Sequence, residues 1–152
     1  MELILNRVLK FQMYMKNINN LSEKIQIIQR KKLTDSRGWF LKVITGKENN
    51  LPNFTGEIYL VSSTHGASRG GHYHKKATEW FTVFQGESIL KLFDVKTKEK
   101  FEIKINNLKP ITIVVPPYIA HRFDAVNKDP FSIIAYTDKH YEPEDTIEFE
   151  FE

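Results

Sequence analysis

The 152-residue chain has no cysteine, which excludes disulfides, thiolate metal ligands and thiol nucleophiles. It lacks any apolar run long enough to span a bilayer, so no membrane partner is expected. It also lacks phosphate-loop and dinucleotide fingerprints, since Gly70-Gly71 does not open a helical pattern. Charge of one sign is scarce. Lys and Arg number 22 against 19 Asp and Glu, a formal net of +3. The basic residues are scattered, with short clusters only at Arg30-Lys31-Lys32 and Lys75-Lys76. The first of these reads as solvated surface, and no nucleic-acid partner is expected. Residues 1–14, MELILNRVLKFQMY, are broken by Glu2, Arg7 and Lys10 and do not have the form of a signal peptide. Cytoplasmic location is therefore expected, and the acceptor-like Asn53-Phe54-Thr55 carries no weight.

What is abundant is aromatic: eleven Phe, six Tyr and two Trp, a composition that favours strands. From residue 24 the chain reads as a succession of short strands: KIQIIQRKKL, WFLKVIT, EIYLVSS, the histidine strand RGGHYH, EWFTVF, SILKLFDV, KFEIKI, ITIVV, AHRFDAV, FSIIAYT and TIEFEFE. Turn signals separate them, among them Gln85-Gly86-Glu87 and Pro116-Pro117. No helical period or internal repeat interrupts the pattern, which predicts an all-β barrel or sandwich. The division expected is an N-terminal extension, 1–22, and one domain, 23–152. The acidic tail, with alternating Ile147, Phe149 and Phe151, reads as an edge strand, and an exposed apolar edge needs covering.

Chemistry concentrates in one stretch. His72 and His74 are separated by one residue, so on a strand both imidazoles enter the same face while Tyr73 points away. Glu79 opens the next apolar run, and His121 follows Pro116-Pro117 in VVPPYIAHRF. His72, His74, Glu79 and His121 together suit a divalent metal, or acid–base work with none. The competing structural readings are a carboxylate that only orients a histidine and a buried histidine satisfied in the core.

Gly66-x5-His72-x-His74-x4-Glu79-x6-Gly86 resembles the first cupin motif, and Pro116-x4-His121 the second, with Tyr118 in place of its usual glycine. Cupins are double-stranded β-helix barrels, or jelly rolls. Asp35-Ser36-Arg37-Gly38-Trp39-Phe40 and Arg69-Gly70-Gly71-His72-Tyr73-His74 resemble segments of the dTDP-4-dehydrorhamnose 3,5-epimerases and the dTDP-4-keto-6-deoxyhexose 3,4-ketoisomerases. RGGHYH with its downstream Glu is also similar to the metal-binding cupin domain of capsule-sugar reductase/epimerases. AHRF and Tyr141-Glu142-Pro143-Glu144 are similar to further rhamnose-epimerase segments.

The resemblance implies proton abstraction beside the ketone of a nucleotide-linked 4-keto-6-deoxy sugar, in making cell-surface polysaccharide. By matching positions, His72 is the expected base and His74 or Tyr59 its proton partner. Arg69 is the expected diphosphate contact, with Arg37 and then Lys75 behind it, because cations, and guanidinium above all, match phosphate oxygens. His121 and Tyr136 are further substrate-side candidates. Tyr136 lies one residue from the position of the rhamnose-epimerase acid, which falls on Ala135, so it reaches the site only if a bulge re-aims it. No cofactor is required by this chemistry, or one divalent metal, zinc first, if the four-residue set converges, in which case the alternative is a metal-dependent epimerase or oxygenase. A homodimer is expected, since this group of cupins exchanges N-terminal strands. A non-catalytic sugar-binding cupin is the competing class.

Overall fold

The computed structural model describes residues 21–36, 38–48, 51 and 56–152. A short helix, α1 (Leu21–Lys24), precedes β1 (Gln26–Gln29), β2 (Lys32–Asp35), β3 (Gly38–Leu41), β4 (Glu57–Ser62), β5 (Arg69–His74) and β6 (Glu79–Gln85). Then follow β7 (Glu87–Asp94), β8 (Lys100–Asn106), β9 (Ile111–Val115), β10 (Ile119–Ala125), β11 (Ser132–Thr137) and β12 (Thr146–Glu148). One five-stranded sheet runs β1-β9-β6-β11-β4, a second runs β12-β5-β10-β7-β8, and β2-β3 is a separate hairpin. The pairings are antiparallel throughout. From β4 onward successive strands alternate between the two sheets, apart from the β7-β8 hairpin, the connectivity of a jelly roll.

The sequence period produces this arrangement directly. In ESILKLFD every second residue is buried, so Leu90 and Leu92 enter the space between the sheets while Lys91 and Phe93 face out. Phe81, Val83, Ile113, Ile119, Phe123 and Ile133 fill the same space from other strands, and Phe131 does so from just before β11. Each such side chain contributes about 1.5–3 kcal/mol by leaving water. Leu21 is fully buried in this core, and its N–H donates to Glu99 Oε2 at 2.6 Å. Residues 21–22, expected in the extension, thus begin in contact with the barrel; the rest of the extension lies outside the described residues.

Two expected strands are shorter than their patterns. WFLKVIT is strand only to Leu41, because Thr45 and Glu48 bind each other locally and Glu48 pairs with buried Arg30, which competes with a ladder. TIEFEFE is strand to Glu148, at the edge beside β5. Beyond it Phe149 packs against Phe93, ring centroids 4.8 Å apart and tilted by 33°, and Phe151 lies under the Arg122 guanidinium at 5.1 Å.

The histidine strand owes its register to two glycines. Gly70 and Gly71 take φ of +86° and +87°, values that L side chains resist. The β5–β10 register shifts between His121 and Arg122, and His72 comes to lie directly opposite His121. A Cβ on Gly70 would stand 2.7 Å from the His121 carbonyl oxygen. Gly70→Ala is expected to lower unfolding free energy by about 2–5 kcal/mol, combining left-handed strain with a backbone collision; the shift of the urea midpoint measures it.

Candidate active site

His72 and His74 face the inside of one end of the barrel, and Tyr73 turns outward toward Tyr118, ring centroids 6.5 Å apart. Glu79 starts β6 and is 4 % exposed, and His121, on the neighbouring β10, is 2 % exposed. Tyr59 reaches in from β4 and donates its hydroxyl to Glu79 Oε1 at 2.8 Å. The other oxygen, Oε2, lies 3.3 Å from His74 Nε2 and 3.3 Å from His121 Nε2. The His72 ring stands edge-on to both other rings, at 5.1 Å from His74 and 4.7 Å from His121. Tyr59, His72, His74 and Glu79 line a cavity of about 290 Å³, closed on its other side by residues of the 137–146 segment.

Burial and neighbouring charge set these groups apart. Burial alone would raise Glu79, but His121, His74 and the Tyr59 hydroxyl outweigh it and hold the carboxyl down at about 2. Burial, with His121 and His74 adding to it, pulls His72 down to about 4 despite Glu79. For His74 the burial effect is overcome by Glu79 and Asp145, and its imidazole is raised. Complete burial lowers His121. Burial and then the Glu79 charge push the Tyr59 phenol up. The cavity therefore holds a carboxylate, a phenol, a neutral imidazole and an imidazole that keeps its proton more strongly than usual. Separated proton affinities on neighbouring groups are the mark of an acid–base pair.

Glu79 Oε2 and His74 Nε2 are buried without a hydrogen-bond partner, despite their closeness. His72, His74 and Glu79 each offer a ligand atom within 4.8 Å of the others. Two imidazole nitrogens and a carboxylate oxygen, two of these atoms otherwise unsatisfied, fit a divalent ion. His121 completes the expected set of four by its contact with Glu79, but from behind, since it does not line the cavity. Its position supports Glu79, and it stands outside the lining of this cavity.

The other expected residues scatter. Tyr136 faces the outer side of its sheet, edge-on to Trp80 at 5.5 Å, and lines a separate cavity of about 360 Å³ with Ile58 and Thr82. Ala135, fully buried and opposite Tyr59, occupies the inward position. The β11 irregularity lies between Ser132 and Ile133, too early to re-aim Tyr136 alone. Strand parity thus places Tyr136 outside the histidine cavity. Arg69 is exposed at the far end of β5 and is not part of the cavity wall. Lys75 is exposed, and its backbone N–H donates to Asp145 Oδ1 at 2.9 Å. Arg37 lies outside the described residues. Sequence reasoning missed the 137–146 wall: Thr137, Lys139, His140, Tyr141 and buried Asp145 all border the cavity. The Tyr-x-Pro-Glu segment had marked the place, but only the fold brings it over His74.

A jelly-roll barrel that gathers His-x-His and a glutamate at one end is a cupin. Residues 33–149 match the model of the polysaccharide biosynthesis C-terminal domain family, and the chain belongs to that family. It is 26% identical over 125 residues to the spore coat polysaccharide biosynthesis protein SpsL of Bacillus subtilis, covering 79% of this chain and 82% of that protein. It is 25% identical over 111 residues to a UDP-2-acetamido-2,6-beta-L-arabino-hexul-4-ose reductase of Pseudomonas aeruginosa, covering 73% of this chain and 28% of that longer protein. Among solved structures it resembles a dTDP sugar isomerase from Desulfovibrio desulfuricans, with a TM-score of 0.76 at 16% identity, covering 84% of this chain and 85% of the other.

Proposed function

We propose that the protein is an epimerase or ketoisomerase of a nucleotide-linked 4-keto-6-deoxy sugar, working by reversible removal of a proton beside the ketone, in polysaccharide biosynthesis. The observation that carries this reading is the convergence of His72, His74, Tyr59 and Glu79 on one cavity, with Glu79 set between the Tyr59 hydroxyl and His74 Nε2. Its support from the relatives is consistent: one is a polysaccharide biosynthesis protein, one acts on a UDP-linked hexul-4-ose, and one fold neighbour is a dTDP sugar isomerase.

His72, kept neutral by burial, takes the carbon-bound proton. The resulting enolate needs a hydrogen-bond donor, and two groups line the cavity: His74, and Tyr59 once its single hydroxyl proton turns from Glu79 Oε1 to the substrate. His74 or Tyr59 returns a proton to carbon on the other face, giving an epimer, or elsewhere in the enediol, giving a ketoisomer. Glu79 stays ionised throughout, sustaining the proton on His74 and fixing the Tyr59 hydroxyl. A nucleoside diphosphate is too large for a cavity of about 290 Å³ and must extend beyond it.

A second reading adds a divalent metal, zinc first, held by His72, His74 and Glu79 with His121 behind them; the unsatisfied Glu79 Oε2 and His74 Nε2 favour it. Such an ion would polarise the ketone as a Lewis acid. Elemental analysis of the purified protein and of His74→Ala separates the readings: a stoichiometric metal lost in the variant supports it, and no metal in either sinks it.

The proposed enzyme is a cytoplasmic homodimer. Ile58 and Leu60 on edge strand β4 are 63% and 70% exposed, and the β2-β3 hairpin exposes Leu33, Trp39 and Phe40. Among the described residues no strand pairs with the outer side of β4, and an apolar edge of this kind suits pairing with a second copy. Leu60→Glu is expected to shift sedimentation from dimer to monomer; an unchanged sedimentation coefficient counts against this face.

Incubation with dTDP-4-keto-6-deoxyglucose in D₂O, followed by NMR, tests the main reading. Deuterium uptake at C3 or C5 above the enzyme-free rate is expected. No uptake, with the UDP-linked analogue and added divalent metal also silent, overturns it.

A further inference from the structure

Asp145 is a buried carboxylate, 5 % exposed, in the loop that leads into β12. The His74 ring lies beside it, Nδ1 standing 3.6 Å from Oδ2, and the carboxylate's hydrogen bonds come from the backbone. Its Oδ1 accepts the backbone N–H groups of Lys75 and Lys76 at 2.9 and 3.0 Å, and its Oδ2 accepts that of Ala77 at 3.2 Å. Those three residues form the turn between His74 and Glu79. The Asp145 backbone carbonyl faces the His74 ring, with Nδ1 at 3.1 Å. A carbonyl is only an acceptor, so this contact requires a proton on Nδ1 whatever the charge of the ring. The opposite nitrogen, Nε2, is then the one presented to Glu79 and the cavity. One residue thus holds the turn that sets the distance from His74 to Glu79 and also orients the ring.

We propose that Asp145 is a positioning residue: by binding the 75–77 turn it holds its own carbonyl against His74 Nδ1 and so aims His74 Nε2 into the cavity. Its effect on rate rests on the isomerase reading above; its effect on the ring does not. The carbonyl survives any substitution at this position, so side-chain removal acts through the placement of the loop and through the loss of the carboxylate oxygen that lies 3.6 Å from His74 Nδ1; Asp145→Asn removes the charge but keeps the hold on the turn, and so separates the two. Outer contacts of this kind typically cost 10–100-fold when removed.

The experiment observes the ring N–H protons of the full-length protein by NMR, with the His74 Nδ1 proton assigned by its disappearance in His74→Gln. In the wild type this proton is expected as a slowly exchanging resonance. In Asp145→Ala it is expected to vanish into exchange with water, with kcat falling about 10–100-fold and KM within about twofold. Asp145→Asn keeps an acceptor for Lys75 and Lys76 and is expected to restore both. Should Asp145→Ala not fold, Asp145→Ser, too short to reach all three donors, is read in the same way. A protected Nδ1 proton in folded Asp145→Ala or Asp145→Ser, or an unchanged kcat, overturns the proposal. If the wild type turns over no nucleotide sugar, the isomerase reading fails, while the ring resonance still decides what Asp145 does.

Discussion

His72→Asn is expected to cut deuterium exchange into the sugar by about 100- to 10,000-fold, the usual contribution of a positioned general base. Asparagine keeps a polar group of similar reach but cannot accept the proton. The fold should survive, because His72 is only partly buried and its register comes from Gly70, Gly71 and the β10 ladder. Its pH dependence adds a second signature. A base works in its neutral form, and burial with two neighbouring histidines holds His72 at about 4. The acid limb of kcat/KM should therefore fall near pH 4, and the rate should be flat through the region around 6.5 where a free imidazole would already be protonating. A limb near 6.5, or a His72→Asn enzyme retaining more than about a tenth of wild-type exchange, would remove His72 from the role of base.

How much of this was legible in the sequence follows the range of each interaction. The strand pattern was legible because alternation is local: ESILKLFD shows its buried face in the order of its letters. The inward pairing of His72 and His74, and the approach of Glu79 across one turn, are likewise short-range. Tyr59 was found only through family resemblance, because its hydrogen bond to Glu79 spans 20 residues. Tyr136 could reach the site only if a bulge re-aimed it, and the order of residues does not show where a bulge falls; β11 has its irregularity earlier, between Ser132 and Ile133, so parity leaves Tyr136 on the outer face. Asp145 was invisible for a related reason. Its partners lie about 70 positions back, and they are backbone N–H groups, which carry no residue identity to read. Arg69 shows the reverse case: its residue type matched a phosphate contact, while its place at the far end of β5 could be seen only once the cavity was located at the other end.

Glu79→Gln should be the most damaging single change to stability within the site. The amide retains an acceptor for the Tyr59 hydroxyl, but its NH₂ group then competes for the place between His74 Nε2 and His121 Nε2 that a carboxylate oxygen now fills. Breaking a buried charge pair on one side costs about 3–5 kcal/mol. The pH dependence identifies the cause. Folding lowers Glu79 from 4.5 to about 2, so the stability it contributes is complete above pH 4.5 and is lost as pH falls toward 2. That gap, at about 1.4 kcal/mol per pH unit, is worth about 3 kcal/mol. Between pH 5 and pH 3 the wild type should therefore lose about 2 kcal/mol through this group, a loss that Glu79→Gln cannot show because it has no proton to take up there. Urea unfolding of both proteins at those two pH values measures the difference. Unfolding free energies that decline in parallel would mean that the carboxylate is not held ionised by the histidines. With the Glu79 charge gone, His74 also loses the partner that most raises its proton affinity, so the variant should exchange deuterium slowly even where it is fully folded. Slow exchange with wild-type stability would instead place Glu79 in the chemistry alone, and full exchange with lowered stability would place it in the scaffold alone. The geometry, one oxygen on Tyr59 and the other between two histidines, requires both losses together.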